Sequence, residues 1–211
     1  MKTADLISLL ATSAGPAPRA AAARRLAPAA LAGLLASALL VLWVLGPVPA
    51  AMLGGAALWT KLGFASGLLL AGAWWCARLA RPAAPTTGPM QAVVGVLMAM
   101  FGLGLASLQA VAPQDRLPYL LGHSWAMCPF NVLVLSLPAL AAALWALRGL
   151  APTRPRRAGL AAGLLAGSAG ALGYALGCGE TSLSFVALWY SLGIGLSAAL
   201  GALLGPWVLR W

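Results

Sequence analysis

Six apolar stretches of about 20 residues, each almost free of charge, constrain this chain more than any other feature. At 1.5 Å of rise per residue, about 20 apolar residues cross a hydrocarbon core as a helix. The expected spans are Pro28 to Gly46, Ala57 to Leu79, Met90 to Val111, Cys128 to Leu147, Ala158 to Gly177 and Leu183 to Leu204. Breakers sit between them. Gly46-Pro47-Val48-Pro49 ends the first span, because proline cannot continue the hydrogen-bond ladder. Pro129 falls near the start of the fourth, where a missing N–H costs least. With 62% of its 211 residues hydrophobic and 8% charged, the chain cannot hide its apolar surface in a soluble fold. The expected fold class is all-α: a polytopic membrane protein, a six-transmembrane-helix bundle with both termini cytoplasmic. Residues 1–26 read as a cytoplasmic N-terminal tail with a short amphipathic helix, and 27–211 as the bundle.

The charges test that topology. A formal net charge of +10 would suit nucleic acid, but here the basic residues cluster just outside the apolar runs. No direct nucleic-acid contact is expected. Lys2, Arg19, Arg24, Arg25, Arg78, Arg81, Arg148, Arg154, Arg156, Arg157 and Arg210 fall on the side of the termini, and Lys61 and Arg116 fall opposite. By the positive-inside rule the termini are cytoplasmic. Omitting the second span would put the Arg148–Arg157 cluster outside. Lys61, at a span end, is expected to snorkel to the headgroups. Trp59, Trp74, Trp75, Trp125, Trp145, Trp207 and Trp211 lie near span ends, as an aromatic belt requires. The first run is of span length and follows about 25 residues, so it reads as a retained helix rather than a cleaved leader.

Small residues recur every four positions at Gly63/Gly67/Ala71, Gly159/Gly163/Gly167 and Gly193/Ser197/Gly201/Gly205. Such stripes let helix backbones approach closely in lipid, so they argue for a compact bundle. No internal repeat marks a two-halved transporter, and the longest loop, about Ala112 to Met127, leaves no room for a soluble domain.

Few residues are left to carry chemistry. The acids are Asp5, Asp115 and Glu180, and His123 is the one histidine. No nucleophile elbow, zinc-protease, phosphate-loop, dinucleotide or CxxC motif occurs, and the central thirds of the spans carry no ionisable group of the kind pumps and proton relays need. No enzymatic activity and no cofactor beyond a soft metal ion are expected. Cys128 opens the fourth span and Cys178 closes the fifth, which puts both at one surface, on the oxidising side where disulfides persist. They are candidates for a disulfide or a soft-metal site. The plainer reading makes each a small hydrophobe at a helix end. Glu180, in the same turn as Cys178, and His123, five residues before Cys128, extend the possible donor set. A metal site of Cys128, Cys178 and His123 would match no known spacing. Cys76 reads as a packing residue.

The N-terminus carries a second signal. Thr3 can cap a short helix, Asp5 suits its positive end, and Leu6, Leu9 and Leu10 share a face with Ile7 at its edge. A helix this short is marginal alone and needs a partner surface, either the lipid bilayer or a protein groove. Ala14-Gly15-Pro16-Ala17-Pro18 would link it to the bundle.

Together these stretches resemble the NrsF-type membrane proteins. The resemblance lies in the opening Lys2-Thr3-x-Asp5-Leu6-Ile7-x-Leu9-Leu10-Ala11, in Cys128-Pro129, in Cys178 with Glu180, and in Trp189-Tyr190 followed by Gly193. It covers essentially the whole chain. It implies a membrane anti-sigma factor of the bacterial inner membrane that sequesters an extracytoplasmic-function sigma factor until an envelope stress signal arrives. The implied contacts are Asp5, Leu6, Ile7, Leu9 and Leu10 for the sigma factor, with a periplasmic sensor on Cys128 and Cys178. The alternatives are a membrane thiol oxidoreductase, for which a second cysteine pair is missing, and a small metal or solute transporter, disfavoured by charge-free span interiors.

Overall fold

A computed structural model of the chain describes residues 3–13, 21–44, 46, 54–81 and 84–210. Among these the chain is helical, without strands. Helix α1 spans Thr3–Ser13, α2 Ala21–Val44, α3 Ala56–Leu79 and α4 Thr87–Gln109; α5 is the short Arg116–Leu121; α6 spans Cys128–Arg148, α7 Pro155–Ala175 and α8 Leu183–Val208. All but α1 and α5 are long and apolar enough to cross a membrane, which gives the six expected spans. The expected linker Ala14–Pro18, Lys2, Arg19, Trp211 and the Pro47–Pro49 breaker lie outside the described residues, but Gly46 takes the left-handed φ of 74° that follows a helix end.

Everything is arranged around α7. Its residues are mostly alanine, glycine and leucine, and nearly all of them are buried. Small side chains let four helices reach its backbone. A Cβ placed on Gly159 or Gly163 would collide with the α8 backbone at Gly201 and Ser197. One on Gly170 would meet α6 at Val132 and Ser136, and one on Gly173 would meet α2 at Ser37. Helix α3 comes in from its own side, where Gly72 faces the backbone of Leu165. Without a hydrophobic effect between helices in lipid, such close packing supplies the cohesion. The α7 stripe therefore packs on Ser197, Gly201 and Gly205 of α8, Gly193 meets α6 at Val132 and Pro129, and Gly63 of the first stripe has open space around it. A Ser136–Ser197 hydroxyl pair at 2.8 Å adds a polar tie between α6 and α8.

Helices α2 and α4 lie at the periphery. Leu39 and Trp43 on α2, and Val94, Met98, Phe101 and Leu105 on α4, are exposed, as lipid-facing positions should be. Of the tryptophans expected near span ends, Trp59, Trp74, Trp125, Trp145 and Trp207 are exposed. Trp75 is the exception: it is buried. Neighbouring helix positions face about 100° apart, so Trp74 takes the lipid side and Trp75 turns into the core.

The connections give the bundle two unlike ends. Lys61, Cys128, Cys178 and Glu180 meet at one, which joins the starts of α3, α6 and α8 to the end of α7. Arg24, Arg25 and Arg148 line one cavity at the other end, and Arg78, Arg81 and Arg154 another.

Candidate functional site

At the thiol end, the fold brings together residues far apart in sequence. Cys128 is the first residue of α6 and fully buried, and Cys178 is buried in the turn that follows α7. Both carry free thiols, as does the buried Cys76 in α3. The Cys128 thiol has the Cys178 thiol, the Lys61 ammonium and the Glu180 carboxylate within electrostatic reach. Tyr174, near the end of α7, faces Cys128, Asn131 and Ser124, and its ring lies 5.7 Å from that of Tyr190.

Lys61 corrects an expectation. It does not reach for the headgroups: it is 2% exposed, and its Nζ donates to the Cys178 carbonyl at 2.8 Å. The cause is local. Helix α7 ends at Ala175, so the carbonyl of Cys178 has no helical partner, and Lys61 in the second turn of α3 supplies the donor. A buried ammonium is tolerated only with such partners.

Glu180 ties down the loop before α6. Its Oε1 accepts from the His123 N–H at 2.7 Å, and from the Ser124 N–H and the Ser124 hydroxyl, each at 3.1 Å. Gly122 makes this cradle possible. Its φ is +59°, and a Cβ there would run into Phe185 and the Glu180 carboxylate. The loop is pinned a second time by the Trp189 indole, which donates to the Leu120 carbonyl at 3.0 Å and sits 5.5 Å from Trp125. Trp189 belongs to a π-helical turn, Val186–Tyr190, in the first part of α8. The Tyr190 hydroxyl is buried against Cys178 and has no hydrogen-bond partner among the described residues. A cavity of about 600 Å³ opens beside these groups, lined by residues that include Ser124, Asn131, Tyr174, Cys178 and Glu180.

The structure thus brings Cys128, Cys178 and Glu180 together and leaves His123 at the rim. The imidazole is fully exposed, its Nδ1 3.9 Å from Glu180. Among the described residues no three of His, Cys, Asp and Glu are gathered closely enough to hold a metal ion, so Cys128, Cys178 and His123 do not form one donor set. Two thiols with a cation and a carboxylate beside them can join as a disulfide or share a thiophilic ion as a pair. Lys61, Tyr174 and Ser124 were not legible as site residues, and Trp189 and Tyr190 stood out only through the family resemblance. For Lys61 the signal was a lysine in an otherwise charge-free run, because an ionisable group inside a span marks a site by default.

At the other candidate site, in α1, Asp5 falls in the first turn, and Leu6, Ile7 and Leu9 are exposed at 44%, 62% and 60%. Leu10 belongs to α1, but its side chain lies outside the described residues.

Six span-length helices, one of them a glycine-lined helix at the centre, define a multi-pass α-helical membrane-protein class, with a buried thiol pair at one end. The family model described as "Negative regulator of sigma F" (NrsF) matches residues 10–211, and the chain belongs to that family. It is 40% identical over 215 residues to the probable anti-sigma-F factor NrsF of Azospira oryzae, covering 100% of both chains. To the anti-sigma-F factor NrsF of Caulobacter vibrioides it is 42% identical over 218 residues, again covering 100% of both. Both relatives carry the names of regulatory proteins rather than enzymes. No solved structure matches.

Proposed function

We propose that this protein is an anti-sigma factor of the bacterial inner membrane, with both termini cytoplasmic. It holds an extracytoplasmic-function sigma factor through α1 and releases it when an envelope signal changes the Cys128/Cys178 site. The observation that carries this reading is the full-length similarity to two proteins named anti-sigma-F factors. The arginine-rich end supports the orientation, since basic residues gather on the cytoplasmic side of a bilayer. Exposed Leu6, Ile7 and Leu9 support the docking role, because a short helix with a bare apolar stripe is the form that enters a partner's groove. The buried thiols support the sensor: they lie beside the Lys61 and Glu180 bonds that tie α3 and the loop before α6 to the turn between α7 and α8.

Energetics bound the switch. Moving a partner from 99% held to 99% free needs about 5.5 kcal/mol of differential stability, whereas one disulfide gives about 2–4. Thiol chemistry alone shifts the held-to-free ratio by about 30-fold to about 700-fold, short of the full range.

The test is a pull-down from native membranes, comparing the intact protein with one lacking residues up to Ala11. A sigma factor that is retained by the intact form and lost on truncation supports the reading; retention by both forms removes α1 from it. Cys128→Ser and Cys178→Ser, singly and together, then test the sensor, and unchanged signal-dependent release would sink that half.

A further inference from the structure

At the opposite end, where α2 begins and α6 finishes, a cavity of about 610 Å³ is lined by Arg24, Arg25 and Arg148 and, among the described residues, by no carboxylate. The Arg25 guanidinium crosses to Gly149, so close that a Cβ there would collide with it, and it bridges the two helices across the mouth. The remaining lining, Pro28, Trp145 and Ala146, is apolar, and Trp145 is 79% exposed. Three like charges in one cavity repel unless an anion joins them. Guanidinium forks match phosphate oxygens in pairs. A small inorganic anion would answer the charge but leave the apolar wall uncovered. A ligand with a phosphate at one end and hydrocarbon at the other answers both. The place fits too: exposed tryptophan at a span end marks headgroup depth, and basic pockets between transmembrane helices are the form that holds anionic headgroups.

We infer that this cavity is a binding site for an anionic phospholipid, with Arg24, Arg25 and Arg148 on the phosphate and the apolar wall against the start of an acyl chain. The inference stands apart from the sigma-factor reading, since it involves neither α1 nor the thiols.

The test uses the full chain, purified in a zwitterionic detergent and titrated with phosphatidylglycerol or phosphatidylethanolamine, with adducts counted by native mass spectrometry. Wild type should retain phosphatidylglycerol over phosphatidylethanolamine by at least about tenfold. Arg24→Gln/Arg25→Gln/Arg148→Gln should erase that preference, and the charge-matched Arg154→Gln/Arg156→Gln/Arg157→Gln should keep it. Should the first triple variant not fold, Arg24→Gln and Arg148→Gln alone should each weaken retention several-fold. Equal losses in the two triple variants would reduce the effect to diffuse charge and overturn the site. Displacement of the lipid by millimolar inorganic phosphate, or by an acidic peptide such as poly-glutamate, would overturn the lipid as its occupant.

Discussion

Lys61 is 2% exposed and bonded to a backbone carbonyl, whereas Arg148, Arg154, Arg156 and Arg157, at the other end of the same bundle, stand exposed. Glu180 likewise serves three donors at the thiol end, while the guanidinium cavities hold like charges side by side. A buried ion costs several kcal/mol unless its partners stay in place, so the thiol end has few acceptable arrangements and changes between them in steps. Exposed arginines are solvated in any posture and tolerate gradual rearrangement. The first end is held by a few fixed partners, the second by its solvation.

The comparison breaks most completely if the shared scaffold fails. Gly163→Val drives a side chain into the α8 backbone, and overpacking without a flexible neighbour should cost about 3 kcal/mol or more. Thermal unfolding in detergent would show this, and Gly63→Val, at an open glycine, should stay within about 0.5 kcal/mol of wild type. Similar losses at both positions would remove α7 as the centre of the fold. Glu180→Gln weakens charge-assisted bonds at the thiol end only, at about 2 kcal/mol. It should raise maleimide labelling of Cys128 and Cys178 while Cys76 stays unreactive; no rise would mean that the cradle does not shield the thiols. Lys61→Met replaces a buried cation with an apolar side chain of similar length, so unfolding should change by less than about 1 kcal/mol. Hydrogen exchange at residues 177–182 should still quicken, because the Cys178 carbonyl loses its donor, and unaltered exchange would deny Lys61 its holding role. The smallest effect is expected from Arg154→Gln/Arg156→Gln/Arg157→Gln, within about 0.5 kcal/mol and with unchanged thiol labelling. Altered labelling would show that the two ends are not separable in the resting protein.

Charge-free windows located the spans well, because lipid imposes a length and a polarity that show in one dimension. Cys128 and Leu183 open their helices as expected, and α3 starts one residue earlier than expected. The expected first span opens at Pro28, yet Pro28 lies inside α2, which begins at Ala21. The last span continues through Pro206 to Val208. Proline is a weaker boundary in a bundle, where neighbouring helices compensate for the lost hydrogen bond. The Cys128, Cys178 and Glu180 grouping followed from topology alone. Its remaining members did not, since the Lys61 bond and two of the three Glu180 bonds run to backbone groups, which carry no residue-type signal. The fate of Trp75 was hidden for another reason: adjacent tryptophans look alike in sequence, and only packing decides which one faces lipid.

The π-helical turn at Val186–Tyr190 has a consequence for the permitted length of the chain. Such a turn accommodates one residue more than an α-helical path, and each residue of a helix turns the following part by about 100°. Upstream of it, Ser184 packs beside Gly104 of α4; downstream, Ser197, Gly201 and Gly205 lie on α7. Deleting one residue between 186 and 190 should turn the segment into continuous α-helix and leave both contact sets on their partners, whereas deleting a second would rotate one set off its partner by about 100°. Homologous proteins should therefore tolerate the loss of a single residue here more readily than anywhere else in α8.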